Sequence, residues 1–379
     1  MGRYIQKDYD LICIGSGAGG GVAAHIAAKA GKKVAIIESN AIGGECPNYA
    51  CIPTKALLTA AHTFDELKQA QQFGIKATGL KVNYAGLQNW KNLTVKRTGV
   101  SKGEEVYSND GIDLIRGRAH FLDKHTLSIG KKRISAKNFI IATGSHQAIP
   151  EIKGLQDTGF IAFYQATDLR NIPKSIFIIG AGAVGCEFAQ IFSTFGAEVH
   201  IAEHSPHLLS REDNEAGILL EEIFADRKIQ VHTSSDIIKV EKDRQRKVVH
   251  FKQGNKTHKA VVEEIMIATG KHPNTDIGLE NAGIEYGKRG IKTNTFMQTS
   301  QKHIYAVGDV TGPYGFTHMA SYQSRVAAHN ILHRKRIVAK YHAVPRVVFT
   351  DPEVASVGLT EAELRLKKVK YRTSQADIS

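Results

Sequence analysis

Two stretches of the chain carry the same run of apolar and polar positions. Residues 10–38, DLICIGSGAGGGVAAHIAAKAGKKVAIIE, and residues 175–203, SIFIIGAGAVGCEFAQIFSTFGAEVHIAE, align without a gap at a constant offset of 165. Each begins with an apolar run of strand type and turns through G-x-G-x-x-G. Each then continues as a helix, meets a Gly and ends in a second apolar strand. Each closes on an acid 23 residues after its first Gly, Glu38 after Gly15 and Glu203 after Gly180. The pattern predicts two parallel βαβ units. Elsewhere, residues 112–142 alternate in short runs, as an antiparallel meander does, and residues 229–269 are rich in strand signals. Residues 53–68, PTKALLTAAHTFDELK, predict a helix with Pro53 in its first turn.

The spacing has a chemical reading. Gly15 and Gly180 permit a tight turn, Gly17 and Gly182 let the backbone approach a pyrophosphate, and Gly20 and Gly185 let helix and strand pack closely. The helix N-terminus then presents unpaired N–H groups and the positive end of its dipole to phosphate. The terminal acids Glu38 and Glu203 can accept hydrogen bonds from an adenosine ribose. Two dinucleotide sites on one chain imply that electrons pass between two cofactors. A carboxylate at Glu203 favours a free 2′-hydroxyl over a 2′-phosphate, and no Arg follows it in EHSPHLLS, so NADH is expected over NADPH; His204 and His207 act against that preference.

Composition narrows the class. The 379 residues fit two to three domains, and 42% hydrophobic with 23% charged residues excludes wholesale disorder. No apolar run approaches the roughly 18 residues of a membrane-spanning helix. The polar N-terminus MGRYIQKDYD argues against a signal peptide or presequence. Gly2 is followed by Gln6, where a myristoylation signal has Ser or Thr. The net charge of +13 is spread over short basic groups that alternate with acids. Solvated surface is therefore expected, with neither a nucleic-acid nor a membrane partner. Four cysteines are too few for a disulfide scaffold in a chain of this size, so a reducing cytoplasm is the expected location.

That setting draws attention to GGECPNYACIPTKALL, residues 43–58, where Cys46 and Cys51 are separated by four residues. A regular helix would spread them over about 7.5 Å of axial rise. A disulfide needs Cα atoms within roughly 7 Å, so an oxidised pair requires a break in the helix. A helix starting near Pro53 should lower the pKa of Cys51. Three readings stand: a reducible disulfide, a zinc site lacking visible further ligands (Cys13 falls in a strand, Cys186 at a helix start), and two inert buried thiols.

The order of these motifs resembles that of the class I pyridine nucleotide–disulfide oxidoreductases. The family's pattern GG-x-C-x-N-x-x-C-x-P-[ST]-K is met by Gly43, Gly44, Cys46, Asn48, Cys51, Pro53, Thr54 and Lys55. Its two ATG turns are similar to Ala142-Thr143-Gly144 and Ala268-Thr269-Gly270. Its second FAD motif is similar to TSQKHIYAVGD, ending in Gly308 and Asp309, and PRVVFTDPEVASVGLTEAEL, residues 345–364, resembles the opening of its dimerisation domain. The resemblance covers essentially the whole chain. It implies an α/β fold with two Rossmann-like domains, the second inserted in the first, followed by the start of an α+β dimerisation domain. Residues 1–147 and 272–342 would bind FAD, residues 148–271 NAD(P)H, and residues 343–379 would begin the dimerisation domain. Hydride would pass from the nicotinamide through FAD to a Cys46–Cys51 disulfide, and on to a small disulfide or metal ion. Cys51 would be the thiolate against the flavin, Cys46 the exchanging thiol, and Lys55 and Glu187 an ion pair beside the two rings.

Two departures qualify those expectations. The segment between the cysteines reads Pro47-Asn48-Tyr49-Ala50, where the family has an aliphatic residue, Asn, a variable residue and Gly. Lipoamide and glutathione therefore do not follow as substrates. The variant looks closest to the mercuric-reductase-like branch, without that branch's additional C-terminal cysteine pair. The sequence also ends at Ser379, before the His and Glu that serve the partner's disulfide in the family. This predicts a poorly dimerising fragment with diaphorase activity at most, or a flavin-binding module, with Val347, Val348, Val354 and Val357 lacking a layer to pack on.

Overall fold

A computed structural model of the chain describes residues 7–376; the segment that carries Gly2 lies outside the described residues. The chain divides into two compact units. One comprises Met1–Ala56, Ala85–Ala148 and Gly270–Lys340, the other Leu57–Tyr84, Ile149–Thr269 and Tyr341–Ser379.

In the first unit the repeat folds as written. Strand β1 (Tyr9–Ile14) leads into helix α1 (Ala18–Lys29) and back to β2 (Val34–Glu38), which lies parallel to β1. All five residues of β2 and all but one of β1 are buried, as strands covered on both faces must be. Helix α2 (Glu45–Asn48) and helix α3 (Cys51–Gln69) follow. Strand β3 (Asp113–Arg116) pairs parallel to β2, so the start of the 112–142 run joins the parallel sheet rather than the expected meander. The meander is formed by β4 (Ala119–Asp123), β5 (Thr126–Ile129) and β6 (Lys132–Ile141). Strand β6 serves two pairings because it is long: its first residues face β5 antiparallel, and its apolar second half lies parallel to β1 and to the strand Ile304–Ala306. Gly19, Gly20, Gly21, Ala23, Ala24 and Ala27 give α1 a small buried face, and the hydroxyl of Ser324 on helix Thr317–Leu332 donates to the Gly19 carbonyl. The short strand β7 (Ser145–Gln147) pairs antiparallel with Lys271–Pro273.

The second unit repeats the design. Strand β8 (Ser175–Ile179), helix Ala183–Thr194 and β9 (Glu198–Ala202) form the βαβ element. The four-stranded parallel sheet is completed by β10 (Gln230–His232) beside β9 and by Glu264–Ile267 beside β8. Residues 229–269 also supply a three-stranded antiparallel sheet, β11 (Ser235–Asp243), β12 (Arg246–Gln253) and β13 (Lys256–Val262). Pro345–Val348 and Val354–Val357 form a hairpin. It is held on helix Ala183–Thr194: Glu187 accepts the Phe349 amide at 3.1 Å, and Gln190 exchanges hydrogen bonds with the Asp351 backbone. This corrects the expectation of an unsupported sheet at Val348, which is only 4% exposed, whereas Val357 is 68% exposed. Among the described residues no helix is long and apolar enough to cross a membrane.

Between the two sheets of this unit, His200 and His232 lie 3.1 Å apart through Nδ1 and Nε2, among the rings of Phe177, Phe251 and His258. Burial, then the charges of His200 and His258, pushes His232 down to about 4. An unfolded His titrates near 6.5. Neutral His232 therefore supports the fold above that pH, and the support is lost as pH falls from about 6.5 through about 4, a loss on the order of 1–3 kcal/mol. His232→Phe should flatten this acid limb. Urea midpoints compared at pH 7 and pH 4.5 check it, and an unaltered drop in the variant would place the acid sensitivity elsewhere.

Candidate active site

The cysteine loop is shaped by its glycines and Asn48. Gly43 and Gly44 have φ of 86° and 72°, a region open to Gly at little cost. Asn48 Nδ2 donates to the Ile42 and Gly44 carbonyls at 2.9 and 2.7 Å, closing the loop on itself. Helix α2 ends at Asn48, and α3 starts at Cys51, so the helical path breaks at Tyr49-Ala50 between the two sulfurs. Both cysteines are free thiols. Cys46 donates a hydrogen bond that lowers Cys51 to about 6; burial opposes this, while the Thr317 hydroxyl and the Lys55 and Lys271 ammonium groups act with it. Cys46 is raised by the same bond and by burial. The sequence reading attributed the acidity of Cys51 to the helix start. Cys51 does occupy the first position of α3, and among the neighbouring side chains the Cys46 thiol has the largest effect on it.

The two glycine cradles are near copies. Gly15 and Gly180 have φ of 101° and 100°. A Cβ on Gly20 would lie 1.8 Å from the Gly15 carbonyl oxygen, and one on Gly185 2.0 Å from that of Gly180. Gly17 and Gly182 are the N-caps of their helices and have extended backbones. A Cβ on Gly182 meets nothing within 4 Å, and one on Gly17 meets only the Gly44 Cα at 3.7 Å. This is open space in front of a helix N-terminus, which fits a pyrophosphate. Glu38 accepts from the Ser16 amide (2.8 Å) and the Asn40 amide (2.7 Å). Glu203 accepts from the Ala181 amide (2.9 Å) and the Ser205 amide (3.0 Å), the same two contacts 165 residues on. A carboxylate has about four acceptor positions, so each acid keeps capacity for ribose hydroxyls. The residues present fit two dinucleotides.

The remaining predicted residues fall as follows. Thr143 Oγ1 donates to the Asn274 carbonyl at 2.7 Å, and Gly144 has φ of 69°. Gly270 has φ of 99°, and its carbonyl accepts the Ala148 amide. Asp309 accepts from the Ser145 hydroxyl at 2.7 Å. Lys55 lies on α3 within the first unit. Glu187 lies on helix Ala183–Thr194 of the second unit and is buried, 2% exposed. His204 and His207, which weakened the NADH argument, each face a carboxylate: Asp236 at 2.6 Å and Glu221 at 3.3 Å. Among the described residues no group of three or more His, Cys, Asp and Glu gathers as a metal site.

Sequence reasoning missed four contributors. Ser16 lies inside the glycine motif and joins its hydroxyl to Glu38 (2.6 Å) and to the Gly43 amide (3.1 Å), linking cradle and cysteine loop. Thr317 meets Cys51 at 3.5 Å across 266 positions, which no local pattern could announce. Lys271 and Glu45, paired at 2.5 Å, lie 226 positions apart in sequence.

Two glycine cradles on α/β units, the first joined by Ser16 to the loop of the thiol pair, define a protein whose residues fit two dinucleotides and a pair of free thiols. Residues 9–329 match the pyridine nucleotide-disulphide oxidoreductases, and residues 344–379 match the dimerisation domain of the same proteins. The chain is 33% identical over 370 residues to the mercuric reductase of Staphylococcus aureus, covering 97% of this chain and 68% of that one. It is 38% identical over 372 residues to the dihydrolipoyl dehydrogenase of Thermus scotoductus, covering 95% and 78%. Among solved structures, the Cu(II) complex of the HOCl-induced flavoprotein disulfide reductase RclA from Escherichia coli superposes with a TM-score of 0.84 at 28% identity, covering 96% of this chain and 80% of that one. The chain belongs to the pyridine nucleotide-disulphide oxidoreductase family, whose members bind FAD and use pyridine nucleotides.

Proposed function

We propose that the chain carries reducing equivalents from NADH to the Cys46–Cys51 pair and on to a small disulfide or a metal ion. The observation that carries this reading is a pair of free thiols on the loop that Ser16 ties to the first glycine cradle, with Cys51 opening α3 and facing the Thr317 hydroxyl at 3.5 Å. FAD, held by Gly15, Gly17, Gly20, Glu38 and Asp309, supplies the two-electron link between the nicotinamide and the cysteines. Gly180, Gly182, Gly185 and Glu203 hold NADH. The FAD domain is assigned to 1–147 and 272–342, the NAD domain to 148–271, and the start of the dimerisation domain to 343–379. The match of residues 344–379 supports a second copy of the chain as partner.

With a disulfide substrate the thiols act in order. The Cys51 thiolate takes the proton that Cys46 already donates to it, as the Cys46 sulfur attacks one substrate sulfur. The substrate S–S bond breaks, and its other sulfur leaves as a thiolate that takes up the proton. Cys51 then attacks Cys46, the Cys46–Cys51 bond forms, and the second substrate thiolate leaves and is protonated from solvent. One dithiol and one disulfide become one disulfide and two thiols.

The reading is tested by anaerobic reduction of the FAD-loaded protein with NADH or NADPH, in native form and as Glu203→Arg. NADH should give the long-wavelength absorbance of a Cys51 thiolate beside flavin at lower concentration than NADPH. Glu203→Arg should reverse the order, because it replaces a carboxylate that repels a 2′-phosphate with a guanidinium that binds one. Protein that holds no flavin after reconstitution, or that gives no such band, would falsify the reading; an unchanged nucleotide preference in the variant would sink the role of Glu203.

A further inference from the structure

The chain leaves the first unit after Ala148 and re-enters it at Gly270. These crossings flank the ribbon in which β7 pairs with Lys271–Pro273, Lys271 lying opposite Gln147. From this ribbon the Lys271 ammonium reaches Glu45 Oε2 at 2.5 Å, with the two side chains 31% and 30% exposed. Glu45 is the first residue of α2 and immediately precedes Cys46. A carboxylate beside a thiol pair disfavours the thiolate, and a cation on that carboxylate offsets it. Lys271 therefore acts twice: it neutralises Glu45, and its charge acts directly on Cys51.

We propose that Lys271 and Glu45 form a positioning pair that ties the crossing ribbon to the cysteine loop and sets the reactivity of Cys51. The proposal rests on the disulfide reading above and adds a control to it. A ribbon movement that parts the pair leaves the Glu45 carboxylate uncompensated next to Cys46 and draws a cation away from Cys51. The other groups that act on Cys51 are the Cys46 thiol, the Thr317 hydroxyl and the Lys55 ammonium. The ribbon also carries His146, bound through Nδ1 to Asn274 at 2.6 Å, and the exposed His272.

The test is iodoacetamide alkylation of the reduced, FAD-loaded protein across pH, with the labelled cysteine identified by mass spectrometry. Native protein, Lys271→Met, Glu45→Gln and the double variant are compared. At about one unit below the native Cys51 midpoint of about 6, Lys271→Met should slow Cys51 labelling about tenfold, and Glu45→Gln should speed it about threefold, as shifts of roughly one and one-half pKa units require. The double variant should fall between them, and Lys271→Arg should restore the native profile. Buried Cys13 and Cys186 are internal controls, since a folding defect exposes them to label while a change in charge leaves them protected. Shifts of the same sign in both single variants, or none in either, overturn the pair while the disulfide reading stands. A native Cys51 that labels no faster than an ordinary thiol overturns both.

Discussion

Cys46→Ser and Cys51→Ser should each reduce NADH-dependent disulfide reduction by at least on the order of 10³-fold, because each removes a sulfur that must enter the bond. Transfer from NADH to an artificial dye should survive in both, since it needs the two nucleotide cradles and neither sulfur. The variants differ in what they leave behind. Without Cys51, Cys46 loses the acceptor that holds its proton in place. Its pKa should fall toward the ordinary thiol range, and its labelling near pH 8 should rise. Without Cys46, Cys51 loses the largest of the effects that lower it. Its labelling near pH 5 should fall, with Lys55, Lys271 and Thr317 retaining part of the effect. Steady-state assays with a small disulfide and with a dye, beside alkylation profiles, read all four outcomes. A Cys51→Ser protein that keeps disulfide turnover within tenfold of native would remove Cys51 from the mechanism.

Local features of the fold were legible because the sequence states them twice. The offset of 165 carries from glycine spacing to helix ends, Ala18–Lys29 against Ala183–Thr194, and to the two backbone amides that bind each terminal acid. The cysteine loop was legible from Pro and Gly punctuation, and the helix break at Tyr49-Ala50 is one that an oxidised pair would require. What escaped depends on contacts distant in sequence. Asp113–Arg116 is too short to show which sheet it joins, and it pairs in parallel along β2. Thr317 and Lys271 act on Cys51 from elements that no short-range pattern joins to it. Val348 is covered because Glu187 and Gln190, on a helix over 150 residues earlier, hold the backbone of the segment that follows it.

Gly182→Ala and Gly185→Ala should separate nucleotide binding from folding, though they lie in one motif. At Gly185 a methyl group would lie 2.0 Å from the Gly180 carbonyl oxygen. Backbone cannot swing aside as a flexible side chain can, so helix Ala183–Thr194 must move off its strand, at a cost of about 1–3 kcal/mol or more. At Gly182 a methyl meets nothing within 4 Å, and the φ of −74° suits any residue. Its effect on stability should stay within about 0.5 kcal/mol. Yet that methyl projects where the pyrophosphate must approach the backbone. NADH affinity should therefore drop at least tenfold in Gly182→Ala, which is about 1.4 kcal/mol, while flavin absorbance stays native because the first cradle is untouched. Urea denaturation reads the first effect, and NADH titration of the oxidised protein reads the second. Gly182→Ala with native NADH affinity would mean that the nucleotide does not lie across this turn, and the second cradle would lose its assignment even with its helix, strand and Glu203 in place.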